Sequence, residues 1–370
     1  MVKVIWFKNS HEQRLNWLKF GLMQLHIQKK IVFLEKDSKT LSGESISDAA
    51  KQHTHKHTVL IKVIKKGEAK WVMADAEDSF FFVQPLIKDV DLYFCSAYNT
   101  DFFVNKKFEY KLPWQSDKDI KEYKAIANDL IDKYGSHFHK ARRLAPISPS
   151  LFPATPSKGA LSQKISNIVY KIHQILFGSN SWGDAYDLFD KRYQELLGYR
   201  HQPLQYDIVL HDSLWGWPQH RINLHKRLKG LAGEFSILSE LKYAPDGYVK
   251  EFNAEDFPMV TQPIAGNYEQ KIVASKLGVF ATGFHFGWRN IVLLALMAGI
   301  PVYTDYIILE PYFDFNEFQL FYNNNEFNDL KEILLSINEK SWQDIKTHNQ
   351  QMFDKYMHPA KVAAYFVDTV

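Results

Sequence analysis

Apolar and polar positions fall into blocks along the chain, and the blocks predict alternating strands and helices. Residues 2–7 are a short apolar run. Residues 12–26 carry Leu15, Leu18, Leu22 and Leu25 at helical spacing, with Asn9 or Ser10 as the expected cap, and residues 30–34 are a second apolar run. A strand–helix–strand opening favours a parallel sheet. Residues 36–57 are polar and read as a loop with room for a short helix. Residues 59–64 and 70–73 read as strands joined by a turn at Lys66-Gly67, and residues 91–96 as another strand. An amphipathic helix is expected over 117–134, and helices over 164–178 and 185–197. A strand is expected at 207–210, followed by a basic helix. Residues 276–280 read as a strand, 281–289 as a Gly-punctuated loop, 290–298 as an apolar helix stopped by Gly299, and 301–304 as the next strand start. The tail from 342 reads as one or two helices around Met357-His358-Pro359. Residues 234–238 and 257–260 do not sort between strand and helix.

This pattern predicts an α/β chain. Residues 146–163 are rich in Pro and Ser and form the best linker. They divide an N-terminal domain (1–145) from a C-terminal one (164–350). The tail (351–370) is a C-terminal helix that has the option of packing back on the first domain. A length of 370 residues suits two domains. With 46% hydrophobic and 24% charged residues, the composition points to neither disorder nor a membrane class. The longest apolar run, 291–302, is too short to span a bilayer and is broken by Gly-Ile-Pro. The net charge of +3 is too small to argue for nucleic acid; it fits an anionic small ligand or loose contact with an acidic membrane surface. One cysteine, Cys95, allows neither an internal disulfide nor a cysteine-based zinc site. It suggests a reducing, cytoplasmic setting, and the N-terminus has no signal-peptide pattern.

Candidate chemistry gathers at strand ends. The loop at 281–289 delivers the chain to a helix N-terminus, whose unpaired N–H groups and positive dipole suit a phosphate or diphosphate. Gly283 and Gly287 would let a ligand approach the backbone, and His285, Trp288, Arg289 and Asn290 add donors, a ring face and a cation. A second strand–loop–helix turn carries Arg221, Lys226 and Arg227, which cannot all point one way; Trp215 and Trp217 suit either stacking or core. Asp75, Glu77 and Asp78 follow one strand directly, and Asn99 and Asp101 another; a carboxylate there could serve as a general base. Helix capping or a solvated face accounts for the same acids. His53, His55 and His57 read as a solvated loop rather than a metal tract. His137 and His139 adjoin a basic patch of Lys140, Arg142 and Arg143.

Two α/β halves, the Pro-rich linker and the run ALMAGIPVYTD together resemble a GT-B fold glycosyltransferase of the exostosin-like or bacterial surface-polysaccharide kind. The resemblance is most specific over residues 276–305. It implies two Rossmann-like domains facing across a cleft, with a nucleotide-sugar donor (UDP- or GDP-sugar) on the C-terminal one and a glycan or lipid-linked acceptor on the other. It implies transfer without a metal or other cofactor, in surface polysaccharide or lipopolysaccharide synthesis, and no role for nucleic acid. The location implied is cytoplasmic, with peripheral contact at the inner membrane face left open. By this resemblance the donor residues are His285, Gly287, Trp288, Arg289 and Asn290, joined by Arg221 and Arg227. Many retaining members carry a glutamate pair where this chain has Phe286 and Leu294. The ribose contact then falls to Glu310 or Asp305, and an inverting base to Asp75, Asp78 or Asp101. Three alternatives stay open: a metal-dependent transferase centred on Asp75, Glu77 and Asp78, a non-catalytic nucleotide-sugar-binding subunit, and a nucleotide-sugar epimerase of the same fold.

Overall fold

The computed structural model describes residues 1–9, 12–52, 57–151, 182–214, 218–243, 268–324 and 326–370. The chain is α/β with two sheets, and it divides into two compact units. Unit 1 comprises Met1–Tyr98, Leu130–Glu195 and Tyr356–Val370; unit 2 comprises Asn99–Asp129 and Leu196–Lys355. The division therefore differs from a cut at one linker. The stretch 99–129, expected with the N-terminal half, groups with unit 2, and the last fifteen residues group with unit 1. The expected helix at 164–178 and most of the 146–163 linker lie outside the described residues, as do His53, His55, Trp215, Trp217 and residues 257–260.

Unit 1 opens with β1 (Val2–Lys8), α1 (Asn16–Ile27) and β2 (Ile31–Asp37). β1 and β2 pair in parallel, Val2 opposite Ile31 through Lys8 opposite Asp37, as the opening pattern predicts. Asn9 is not the cap of α1; its side-chain amide donates to the Thr58 carbonyl at 2.7 Å. After the short α2 (Asp48–Lys51) come β3 (Thr58–Lys65) and β4 (Glu68–Asp75), joined by a tight hairpin. Lys66 (φ 54°) and Gly67 (φ 89°) both take the left-handed conformation that a two-residue hairpin turn needs. β3 runs antiparallel to β1 and β4, so this sheet is mixed rather than wholly parallel. β5 (Leu92–Cys95) joins it next, and α3 (Thr100–Phe103) and α4 (Asp117–Tyr134) follow in sequence before β6 (Ala141–Arg143) closes the order β2-β1-β3-β4-β5-β6. β6 carries Arg142 and Arg143 of the expected basic patch; at three residues it is too short for periodicity to reveal. Phe20 of α1 packs on Tyr186, Phe189 and Tyr193 of α5 (Trp182–Gly198).

Unit 2 holds β7 (Tyr206–Leu214), α6 (Pro218–Leu231), β8 (Ile237–Tyr243), α7 (Tyr268–Val273), β9 (Ser275–Phe280), α8 (Asn290–Ala298), β10 (Val302–Thr304) and β11 (Leu320–Tyr322). All described pairings are parallel, in the order β11-β10-β9-β7-β8. Read from the β8 edge and counted in sequence, that is second, first, third, fourth, fifth. The direction of winding reverses between β7 and β9, and in such sheets ligands gather outside the carboxyl ends of the strands at the reversal. Every residue of α8 after Asn290 is buried, which suits a helix apolar on all sides. Gly299 (φ 90°) ends it, with the Ile300 N–H returning to the Ala295 carbonyl in a Schellman pattern. α9 (Leu330–Ser336) and α10 (Glu339–Tyr356) follow, and the chain ends in α11 (Pro359–Thr369), which packs on α1 in unit 1. Among the described residues no helix is long and apolar enough to cross a membrane.

Candidate functional site

At the carboxyl edge of the unit 2 sheet, four strand ends and two helix starts bring buried charges together. β7 runs further than residues 207–210 and carries Asp212, which is 4% exposed. Arg289, the residue before α8, makes a two-pronged ion pair with it, Nη2 to Oδ1 at 2.9 Å and Nη1 to Oδ2 at 3.1 Å. Arg221, from the first turn of α6, approaches the same carboxylate at 3.4 Å and donates to the carbonyls of Ser213 and Thr282. Beside them lies a second acid. Asp305, directly after β10, accepts from the Thr282 N–H at 2.6 Å, the Thr282 hydroxyl at 2.7 Å and Asn323 Nδ2 at 2.7 Å, and lies 3.0 Å from His220 Nε2. The Trp114 ring stacks on His220 at 4.1 Å between centroids.

Burial works against charge in this cluster, and the pairing decides the outcome. Desolvation would raise the Asp212 carboxyl, but Arg221 and Arg289 hold it below the ordinary carboxylate range. For Asp305 the same opposition is won by His220, Asn323 and Thr282, so it too is held low. Burial pulls Arg221 down to about 10 despite Asp212, so it remains a cation at neutral pH. In Arg289 burial is outweighed by the charge and hydrogen bonds of Asp212, and its pKa is raised.

The loop expected to cradle a diphosphate is folded onto its own chain. A Cβ on Gly283 would lie 2.3 Å from the Gly287 carbonyl oxygen, so glycine there serves the loop's self-contact rather than a ligand's approach. His285 (φ 52°) and Phe286 (φ 61°) are left-handed. The Phe286 ring packs on Phe108 and Tyr123, and His285 meets Tyr123 edge-on. Burial drives His285 down to about 4, so it is neutral at pH 7. Trp288 is 6% exposed and packs on Phe315 instead of offering a ring face. Gly287, Trp288 and Arg289 line a cavity of about 30 Å³ with Thr282, Asp305 and Ile308. That leaves room for a few water molecules at most, too little for a diphosphate in this state. Asn290 alone of the expected donor residues is exposed.

Other expected site residues have structural employment. Arg227 donates to the carbonyls of Phe327 and Asn328, both at 3.2 Å, and so braces the chain before α9. Glu310 accepts from the Thr100 N–H at 2.9 Å and from the Thr100 hydroxyl, tethering the first turn of α3. Asp101 belongs to unit 2 and accepts from Asn105 and Tyr110, which hold it below the usual carboxylate range and make it a weak base. Asp78 lies 3.8 Å and Glu77 3.5 Å from Arg14 Nη1.

Asp75 differs from these. It ends β4, is 2% exposed, and accepts from the Glu77 N–H at 2.8 Å and from the Tyr93 hydroxyl. Burial outweighs those bonds and pushes its carboxyl up to about 7, the range of a general base working near neutrality. Among the described residues no group of three or more His, Cys, Asp or Glu is arranged to hold a metal ion; at the acidic trio after β4, Arg14 supplies the countercharge.

The sequence reading missed Asp212, His220, Thr282 and Asn323, and it gave Asp305 a ribose where the structure shows it holding Thr282, Asn323 and His220. Only the placement of Asp212 and Asp305 at or just beyond strand ends signalled them. No protein-family model and no curated protein matches the chain.

Proposed function

We propose that the chain is a glycosyltransferase that takes a nucleotide-activated sugar, a UDP- or GDP-sugar, at the carboxyl edge of the unit 2 sheet and passes the sugar to a glycan or lipid-linked acceptor in surface polysaccharide or lipopolysaccharide synthesis. One observation carries this reading. Two arginines, Arg221 and Arg289, converge on the winding reversal of a parallel sheet beside the first turn of α8. A departing nucleoside diphosphate gathers negative charge, and fixed cations with a helix N-terminus stabilise it in place of a metal. The GT-B assignment is part of the proposal; it rests on the resemblance over residues 276–305 and on the presence of two α/β units. In this reading the diphosphate meets Asn290, the first N–H groups of α8 and the exposed 19% of the Arg289 side chain, with Asp212 holding that guanidinium in place. Asp75 is the acid proposed as base.

A second reading is favoured by the neutralisation of both arginines by the chain's own carboxylates and by the closed loop: a subunit that binds nucleotide-sugars without turning them over. Incubation with UDP-, GDP- and CMP-sugars, with nucleotide release and calorimetric binding followed together, separates the two. Release of UDP, GDP or, from a CMP-sugar, CMP supports the transferase. Binding without release supports the subunit, and neither binding nor release defeats both.

A further inference from the structure

The opposite edge of the unit 2 sheet carries a groove that plays no part in the proposed transfer. Its volume is about 450 Å³ and it is open to solvent. One wall is a face of α10: Glu339, Trp342, Gln343 and Lys346 recur at helical spacing. The other wall is Gln202, Pro203 and Leu204, directly before β7, and Lys276 at the start of β9 forms the floor.

The lining has a definite chemistry. Trp342 Nε1 donates to the Lys276 carbonyl at 2.9 Å, which fixes helix and strand to one another and makes the groove rigid. Lys346 Nζ lies over the Trp342 ring, 4.8 Å from its centroid. Among the described residues Lys276 Nζ reaches only the Leu334 carbonyl, at 3.3 Å. Neither ammonium makes an ion pair among the described residues. Partial burial without a carboxylate lowers the Lys346 pKa, a cost that an incoming anion would relieve. Glu339 sits in the same lining, so the lining residues carry two cations and one acid, a formal charge of +1. That balance suits a ligand with one negative charge and opposes a diphosphate or a nucleic acid. Leu204 is 44% exposed and offers an apolar surface, while Gln202 and Gln343 offer amides able to give and accept hydrogen bonds. One anionic group, a hydroxyl-rich body and an apolar ring face are the features of an acidic sugar.

We propose that this groove binds a monoanionic carbohydrate, a sugar acid whose carboxylate lies between Lys276 and Lys346. The site does not depend on the transferase reading. The test is titration calorimetry on the whole chain with methyl glucuronide, methyl glucoside and inorganic phosphate, with tryptophan fluorescence as a second signal. Methyl glucuronide is expected to bind about tenfold or more tighter than methyl glucoside, and Lys346→Met or Lys276→Met is expected to remove that preference, since a hydrogen bond to a charged group is worth a factor of about ten or more. Unchanged thermal unfolding of the variants certifies their fold. Equal affinity for the two sugars, equal affinity for phosphate and glucuronide, or a preference that survives both substitutions would overturn the proposal.

Discussion

Asp75 illustrates how one side chain ties stability to pH. Its folded pKa is about 7 against an ordinary 3.8, with burial the largest cause. Between those values the folded chain keeps a proton that the unfolded chain has released, so stability falls as pH rises from about 4 to about 7 and is level beyond. Roughly three pKa units at 1.36 kcal/mol each set an upper scale of about 4 kcal/mol. His285 and His211, both pushed down to about 4 by burial, act with the opposite sign and add stability as pH rises through the same range. The difference between the native chain and Asp75→Asn cancels those histidines. Urea midpoints at pH 5 and pH 8 should therefore show the variant gaining relative to the native protein at pH 8, and parallel midpoints would refute the buried-acid assignment. The Asp212–Arg289 pair gives the second expectation at this scale. Arg289→Met leaves the buried Asp212 carboxylate with Arg221 as its one remaining cation among the described residues and should cost about 3 kcal/mol. Asp212→Asn in the same chain should recover part of that loss, and a coupling near zero by denaturant titration would mean that the two side chains do not depend on each other.

At the scale of elements, close packing fixes where a glycine is required. A Cβ on Gly21 of α1 would stand 1.9 Å from the Pro359 carbonyl oxygen of α11, and that neighbour is backbone and cannot swing away. Gly21→Ala should force the helices apart and cost about 3 kcal/mol, the upper range for overpacking. Gly183, in the first turn of α5 with nothing near its missing Cβ among the described residues, should behave oppositely, with Gly183→Ala stabilising by up to about 0.5–1 kcal/mol through helix propensity. Thermal melting of the two variants checks both signs at once. Such contacts explain what could be read from the chain. The β9–α8–β10 run was legible almost to the residue, because its apolar block, its Gly stop and the following Pro are local signals. The 117–134 helix and the Lys66-Gly67 hairpin were legible for the same reason. The site was not. Arg289 and Gly283 read as ligand contacts because sequence shows the residue type but not its partner. Asp212 lies 77 positions from Arg289, and nothing local announces that pairing.

Across the whole molecule, chain order and spatial grouping part company. Contiguity suggests a first half and a second half, yet residues 99–129 belong to unit 2 and the last fifteen residues belong to unit 1. Unit 1 is therefore completed only when the end of the chain returns to α1. The Trp17 indole N–H donates to the Met357 carbonyl at 2.6 Å, and Lys70 Nζ reaches the Val370 carbonyl at 2.7 Å. Val362, Ala363 and Phe366 of α11 are fully buried, with Phe366 4.8 Å from Phe94. Ending the chain after Lys355 would expose that apolar surface on α1 and β5 and leave the Trp17 donor to water. At about 25 cal/mol per Å² the loss of even a few such side chains matches the whole stability of an ordinary domain. Calorimetry of the shortened chain should then show the unit 1 transition lost or moved well down in temperature, while a transition for unit 2, whose parallel sheet and charged cluster contain none of the deleted residues, persists. Two transitions at their native temperatures would mean that α11 is an ornament on unit 1 rather than one of its walls.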